Sequence, residues 1–104
     1  MPTPARGEVW MVDLGLAQKV RPAVILSIAY SDIDRALVTV VPHSTKPRGS
    51  DFEIPVSLSF LKPGAFVVQG VTTIPVKWAL RRIGQLSREQ LSSIEDAVRH
   101  WLGL

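Results

Sequence analysis

The pattern of apolar residues changes period once along this chain, at Ser87, and that change separates a strand-forming part from a helix. Ahead of Ser87, short runs rich in Val, Ile, Phe or Trp predict strands over residues 8–14, 22–28, 37–41, 52–56, 65–69, 71–74 and 78–83. Turn-forming clusters at residues 31–34, 42–50 and 62–64 separate them, which is the punctuation of a compact antiparallel sheet or barrel. Pro22, Pro42 and Pro55 are expected at strand ends, where a missing amide hydrogen does least harm. Beyond Ser87, Leu91, Ile94, Val98, Trp101 and Leu102 recur at spacings of three and four and mark one face of a helix. Ser87 and Gln90 are spaced as a capping box, and Gly103 is placed to end the helix. The expected fold class is mainly β with a C-terminal helix.

Length and composition bound the function. A chain of 104 residues with 46% apolar and 20% charged residues supports one domain with one modest core, and no repeat or linker divides it. A half-open barrel this apolar predicts a homodimer, with residues 67–71 and the C-terminal helix as candidate interfaces. There is no cysteine, and the two histidines stand 57 positions apart without a partner motif, so no structural metal and no cofactor are expected. Twelve basic against nine acidic residues give a net charge of +3, which permits a polyanionic partner without requiring one. No aliphatic run is long enough to cross a bilayer and the N-terminus lacks an apolar signal core, which predicts a cytoplasmic protein with no membrane partner.

Three stretches carry a more specific signal: Arg6-Gly7-Glu8-Val9-Trp10 leading to Asp13-Leu14, Arg21-Pro22-Ala23-Val24-Ile25-Leu26-Ser27, and Val41-Pro42-His43-Ser44-Thr45. Together they resemble the MazF/PemK toxins. The first is similar to that family's RGE/D-V-W-x-V-D-L strand, the second to its RPAVV-I/L-S strand and the third to its VVP-L/C-T-S/T strand end. Gly49 to Ile54 resembles the G-x-x-FEV segment, Val67-Val68-Gln69 the aliphatic-x-Q strand, and Ile83 to Ser87 the IG-x-LS entry into the last helix. These matches span almost the whole chain in the right order.

The resemblance implies a small SH3-like barrel related to the gyrase poison CcdB, a dimer, and metal-independent cleavage of single-stranded RNA. In that reaction the ribose 2′-OH attacks the adjacent phosphate and leaves a cyclic phosphate and a free 5′-OH. Two family residues carry over. The catalytic arginine before proline matches Arg21, and the hydroxyl residue after VP-x matches Ser44. Arg21 is better suited to gripping phosphate than to taking a proton, since guanidinium stays protonated and presents a planar fork of donors. Pro22 holds it extended at a strand start, which predicts a place on the barrel rim. Ser44 keeps a hydroxyl donor but lacks the methyl of threonine that would hold its rotamer.

Around this pair, Thr45, Lys46, Arg48, Lys19 and His43 are candidate substrate-binding residues. Lys46 and Arg48 follow the hydroxyl in a loop suited to an RNA backbone, whereas the pair Arg81-Arg82 reads as remote. His43 is the one side chain near the motif whose ordinary pKa suits proton transfer at neutral pH, yet an extended strand turns it away from Ser44 and favours a half-buried structural histidine. His100, near a helix C-terminus, reads as structural. Trp10 and Trp101 fit apolar stripes and are expected in the core, as is Trp78, whose alternative role beside basic residues is stacking on a base or an antitoxin side chain. A cognate antitoxin with a disordered acidic tail is the expected protein partner, docking along the basic loop from Lys46 to Arg48.

Two departures from the family pattern stand out. Only six residues separate Leu14 from Arg21, where the family carries a longer loop with a G-S-E-Q segment that supplies an acidic residue; Gln18 is the nearest remnant. Ala79 stands where the family's R-L pair has arginine. The alternative reading is a non-catalytic binding protein on the same scaffold, either a CcdB-like topoisomerase poison or a degenerate toxin.

Overall fold

The computed structural model describes residues 3–15 and 19–104, so Gln18 lies outside the described residues. Seven strands precede one helix: β1 (Glu8–Asp13), β2 (Val20–Ile25), β3 (Leu37–Ser44), β4 (Glu53–Pro55), β5 (Ala65–Val67), β6 (Thr72–Pro75), β7 (Ala79–Gln85) and α1 (Arg88–Leu102). All pairings are antiparallel, and the hydrogen-bonded order is β4-β5-β3-β2-β1-β7 with β6 added to β3. This is the expected mainly-β chain with a C-terminal helix, and its sheet is barrel-like without closing, because the path ends at β4 and β7.

Strand alternation builds two cores on the two faces of this sheet. Val9, Val24 and Val41 enter one, whereas Trp10, Val12, Ala23, Ile25, Val38 and Val40 enter the other. The first core is capped by Ile94 and Val98 of α1, together with Phe66 and Val68. The second is enclosed by the sheet itself, with Ile74 from β6 and Ala79 from β7. Arg6 ties α1 to the sheet by pairing with Glu95 and donating to the Leu26 carbonyl. The Ser87 hydroxyl accepts from the Gln90 amide at 3.1 Å and the Gln90 side chain accepts from the Ser87 amide at 2.8 Å, so the capping box forms as expected.

The strand boundaries shift where the ladder decides them. β2 spans Val20–Ile25, which puts Arg21 inside the strand opposite Val12. β3 continues past Val41 to Ser44. Pro42 is therefore internal, not terminal: it pairs with Ala23 on one edge, and on the other it falls between the end of the β6 ladder at Val40 and the start of the β5 ladder at His43. No amide is required in that gap. Pro22 is likewise internal, opposite Met11 and just beyond the stretch of β2 that pairs with β3. β5 stops at Val67, and Val68–Gly70 form a 3-10 turn in place of the expected strand end. Val68 is fully buried in the first core, so its side chain faces its own protomer and is not available to an interface.

Two of the three tryptophans depart from expectation. Trp10 is core, but Trp101 is 42% exposed and packs edge-on against Phe52, with ring centroids 5.2 Å apart. It belongs to the last turn of α1 and lies outside the first core. Trp78 is 37% exposed because it ends the 3-10 turn Val76–Trp78 instead of starting a strand.

Candidate active site

A cleft of about 870 Å³ opens where five segments converge. Met11 of β1, Arg21 and Pro22 of β2, and His43 and Ser44 of β3 with the following Thr45 and Lys46 line it from the sheet. Phe60, Leu61 and Lys62 line it from the β4–β5 connection, and Arg81, Arg82 and Ile83 from β7. Five cations face the space and no carboxylate lines it among the described residues. An anion entering here meets a concentrated positive field in a partly desolvated recess.

Arg21 and Ser44 reach this cleft from separate strands although 23 positions divide them in sequence. Their carriers are both neighbours in the sheet, β2 beside β3. The Ser44 oxygen accepts the Lys46 amide at 3.1 Å, which folds the chain back after β3 and presents Thr45 and Lys46 to the same space. The hydroxyl hydrogen remains available for donation, so a turn role and a chemical role coexist in one side chain. Gly64 backs this corner: a Cβ there would lie 2.1 Å from the Ser44 carbonyl oxygen, so only glycine lets β5 begin so close.

His43 turns the other way, as alternation predicts, but goes deeper than a half-buried residue. It is 3% exposed and sits edge-on to Phe66 with centroids 5.1 Å apart. Its Nε2 is buried without a hydrogen-bond partner. Burial holds its pKa below the ordinary imidazole value, which keeps the ring neutral at pH 7.

The arginine pair on β7 is not remote. Arg81 faces Met11 and Arg82 faces Trp10 across the ladder, and the register slips on either side of this pair, leaving Leu80 and Ile83 as extra residues. Such bulges bend a strand and re-aim its side chains. Arg82 is then fixed by Glu8, whose Oε2 receives Nε at 2.8 Å, and by Gln85, whose Oε1 receives the guanidinium at 2.9 Å. Burial pushes the Glu8 carboxyl up, but hydrogen bonds from Trp10 and the Ala5 amide and the charge of Arg82 outweigh it and hold the pKa below the usual range.

Of the residues expected from sequence, Arg21, His43, Ser44, Thr45 and Lys46 come together, whereas Lys19 and Arg48 do not line the cleft. Lys19 is exposed in a left-handed turn (φ 57°) before β2. Arg48 gives its amide to both Glu53 oxygens at 2.9 and 3.1 Å, which curls the loop after Ser44 onto β4. Lys62, Arg81, Arg82 and Phe60 were not legible as a group, since no spacing joins them. The one available signal was a basic pair on a strand expected to join the same sheet. Ala79 is buried in the second core, so the β7 cations come from two and three residues further on.

Residues 5–102 match the family model described as the PemK-like, MazF-like toxin of type II toxin-antitoxin systems. The chain belongs to that family. Among curated relatives, Endoribonuclease MazF9 of Mycobacterium tuberculosis is 30% identical over 114 residues, covering 95% of this chain and 96% of the relative. The structure of the Mycobacterium tuberculosis toxin MazF-mt6 superposes with a TM-score of 0.80 at 29% identity, covering 93% of this chain and 97% of that one. An endoribonuclease solved with its cognate antitoxin from a mycobacterial species gives 0.82 at 24% identity, covering 97% and 96%. In this PemK/MazF-family chain the conserved scaffold thus carries Arg21 and Ser44 into one cationic cleft, in keeping with the ribonuclease reading over the topoisomerase-poison alternative.

Proposed function

We propose that this chain is the toxin of a type II toxin-antitoxin pair and a metal-independent endoribonuclease acting on single-stranded RNA, with Arg21 and Ser44 as catalytic residues. The observation that carries this is their convergence, from different strands, on a cleft whose charged walls are all cationic. As the 2′ oxygen bonds to phosphorus its proton passes to solvent water, and the departing 5′ oxygen takes a proton back from water as its bond to phosphorus breaks. The cyclic phosphate forms without consuming water, so the protein has to orient the ribose and stabilise a crowded dianionic phosphorane. The Arg21 guanidinium grips two phosphate oxygens, and the Ser44 hydroxyl donates to a third position. Thr45 and Lys46 bind substrate, His43 backs the site from within the protein, and Lys62, Arg81 and Arg82 extend the grip along the backbone.

Among the described residues no three potential ligands from His, Cys, Asp and Glu cluster. In the same reading the protein works as a cytoplasmic homodimer and is neutralised by an antitoxin with a disordered acidic tail that competes for the cationic cleft. Among the described residues no helix is long and apolar enough to cross a membrane. Incubating purified protein with a long single-stranded RNA, with and without EDTA, and mapping the ends tests the activity. Site-specific cuts with 5′-OH ends in both conditions are expected. Intact RNA, or cutting abolished by EDTA, contradicts it.

A further inference from the structure

We propose that Phe60 is a base-stacking residue that positions the RNA strand in the cleft, an inference that rests on the ribonuclease reading above. Cations grip phosphates, but single-stranded nucleic acids are also held through their bases, which unpaired chains stack on aromatic faces. Among the described residues Phe60 is the one carbocyclic ring lining this cleft. It stands near Lys62 in the β4–β5 connection and shares the cleft with Arg81 and Arg82 of β7, so a base beside it keeps its own phosphate within the cationic field.

The way the ring is held suits this task. A Cβ on Gly84 would lie 2.2, 2.4 and 2.6 Å from Cζ, Cε1 and Cε2 of Phe60. Gly84 therefore packs its bare Cα against one face of the ring at the Cζ end, and a base can stack only on the opposite face. Phe60 is half-buried and also packs against the first core. A ring already held by these two contacts loses little freedom when a base docks, so binding energy goes into contact and not into ordering. Gly84 lies within the IG-x-LS stretch, and this seat gives that glycine a physical purpose. Core packing alone would be served equally by leucine, whereas stacking requires the π face.

The test uses the full chain and RNA probes. A long single-stranded transcript locates a cut site. An oligoribonucleotide spanning that site, with 2′-deoxyribose at the cleaved position so that it binds without reacting, then carries an abasic residue at each neighbouring position in turn. The inference predicts one position at which loss of the base weakens wild-type binding by roughly ten- to a hundredfold, and has little effect on Phe60→Leu. Phe60→Trp restores the dependence. With the cleavable substrate, Phe60→Leu raises KM and leaves kcat little changed. Gly84→Ala examines the same point with Phe60 intact: the added methyl drives the ring from its seat and blunts the dependence on that same base. Equal sensitivity to base removal in wild type, Phe60→Leu and Gly84→Ala at every position overturns the inference while leaving the nuclease standing. A wild-type protein that neither binds nor cuts the transcript overturns the ribonuclease reading itself.

Discussion

Glu8 holds Arg82 by a 2.8 Å contact to Nε while its other oxygen receives the Trp10 indole at 3.0 Å and the Ala5 amide at 2.8 Å, so one carboxylate links the N-terminal turn, the second core and the cleft wall. Because its pKa is lowered in the fold, its contribution to stability is present above the ordinary carboxylate pKa and lost as pH falls through the folded value. Glu8→Gln should therefore melt below the wild type at neutral pH, with the gap narrowing once the pH drops below about 4.5. A gap that stays constant down to strong acid would show that the charge does not matter.

His43 adds a separate acid sensitivity at higher pH. Burial lowers its pKa, so below about 6.5 the unfolded chain takes up a proton that the folded chain refuses, and stability falls as the pH drops from there. The melting temperature of the wild type should decline between pH 7 and 5.5. In His43→Gln that decline should be shallower, and an identical slope would assign the effect elsewhere.

Charge along the cleft sets a third expectation. Lys46 and Lys62 line the space and Arg48 does not, so Lys46→Glu with Lys62→Glu should weaken both RNA and antitoxin binding and flatten their salt dependence. Arg48→Glu should do much less. If Arg48→Glu proved as damaging as the lysine pair, the acidic tail would run along the loop from Lys46 to Arg48 instead of entering the cleft.

Oligomeric state is checked by sedimentation. Val20, Leu37, Trp78 and Leu80 leave apolar surface exposed, which an isolated 11.4 kDa chain would present to water. A species near twice that mass at micromolar concentration is expected. A monomer would oppose the homodimer.

The sequence made the scaffold readable because periodicity and capping are local properties. Strand-like runs, the switch of period at Ser87 and the Ser87–Gln90 box depend on neighbours a few residues apart, and all three appear in the structure. The details that failed depend on partners far along the chain. Pro42 looked terminal because proline alone says nothing of the gap between β6 and β5 that accommodates it. Arg81 and Arg82 looked remote because only the pairing of β7 with β1, and two bulges within it, swing them to the cleft. Trp101 fitted the helical stripe, yet it packs on Phe52 outside the first core and stays 42% exposed.

The account turns on Arg21, and the rate of RNA cleavage by its variants tests it most directly. On a substrate with a mapped cut site and with EDTA present, Arg21→Ala should cleave about a hundred- to a thousandfold more slowly than the wild type while leaving the fold intact, the scale of losing one preorganised transition-state donor. Arg21→Lys should recover only part of that loss, since it restores the charge without the planar fork. Arg21→Ala that retains most of its activity, beside a His43→Gln that has none, would contradict the account and make the histidine the group that takes the proton.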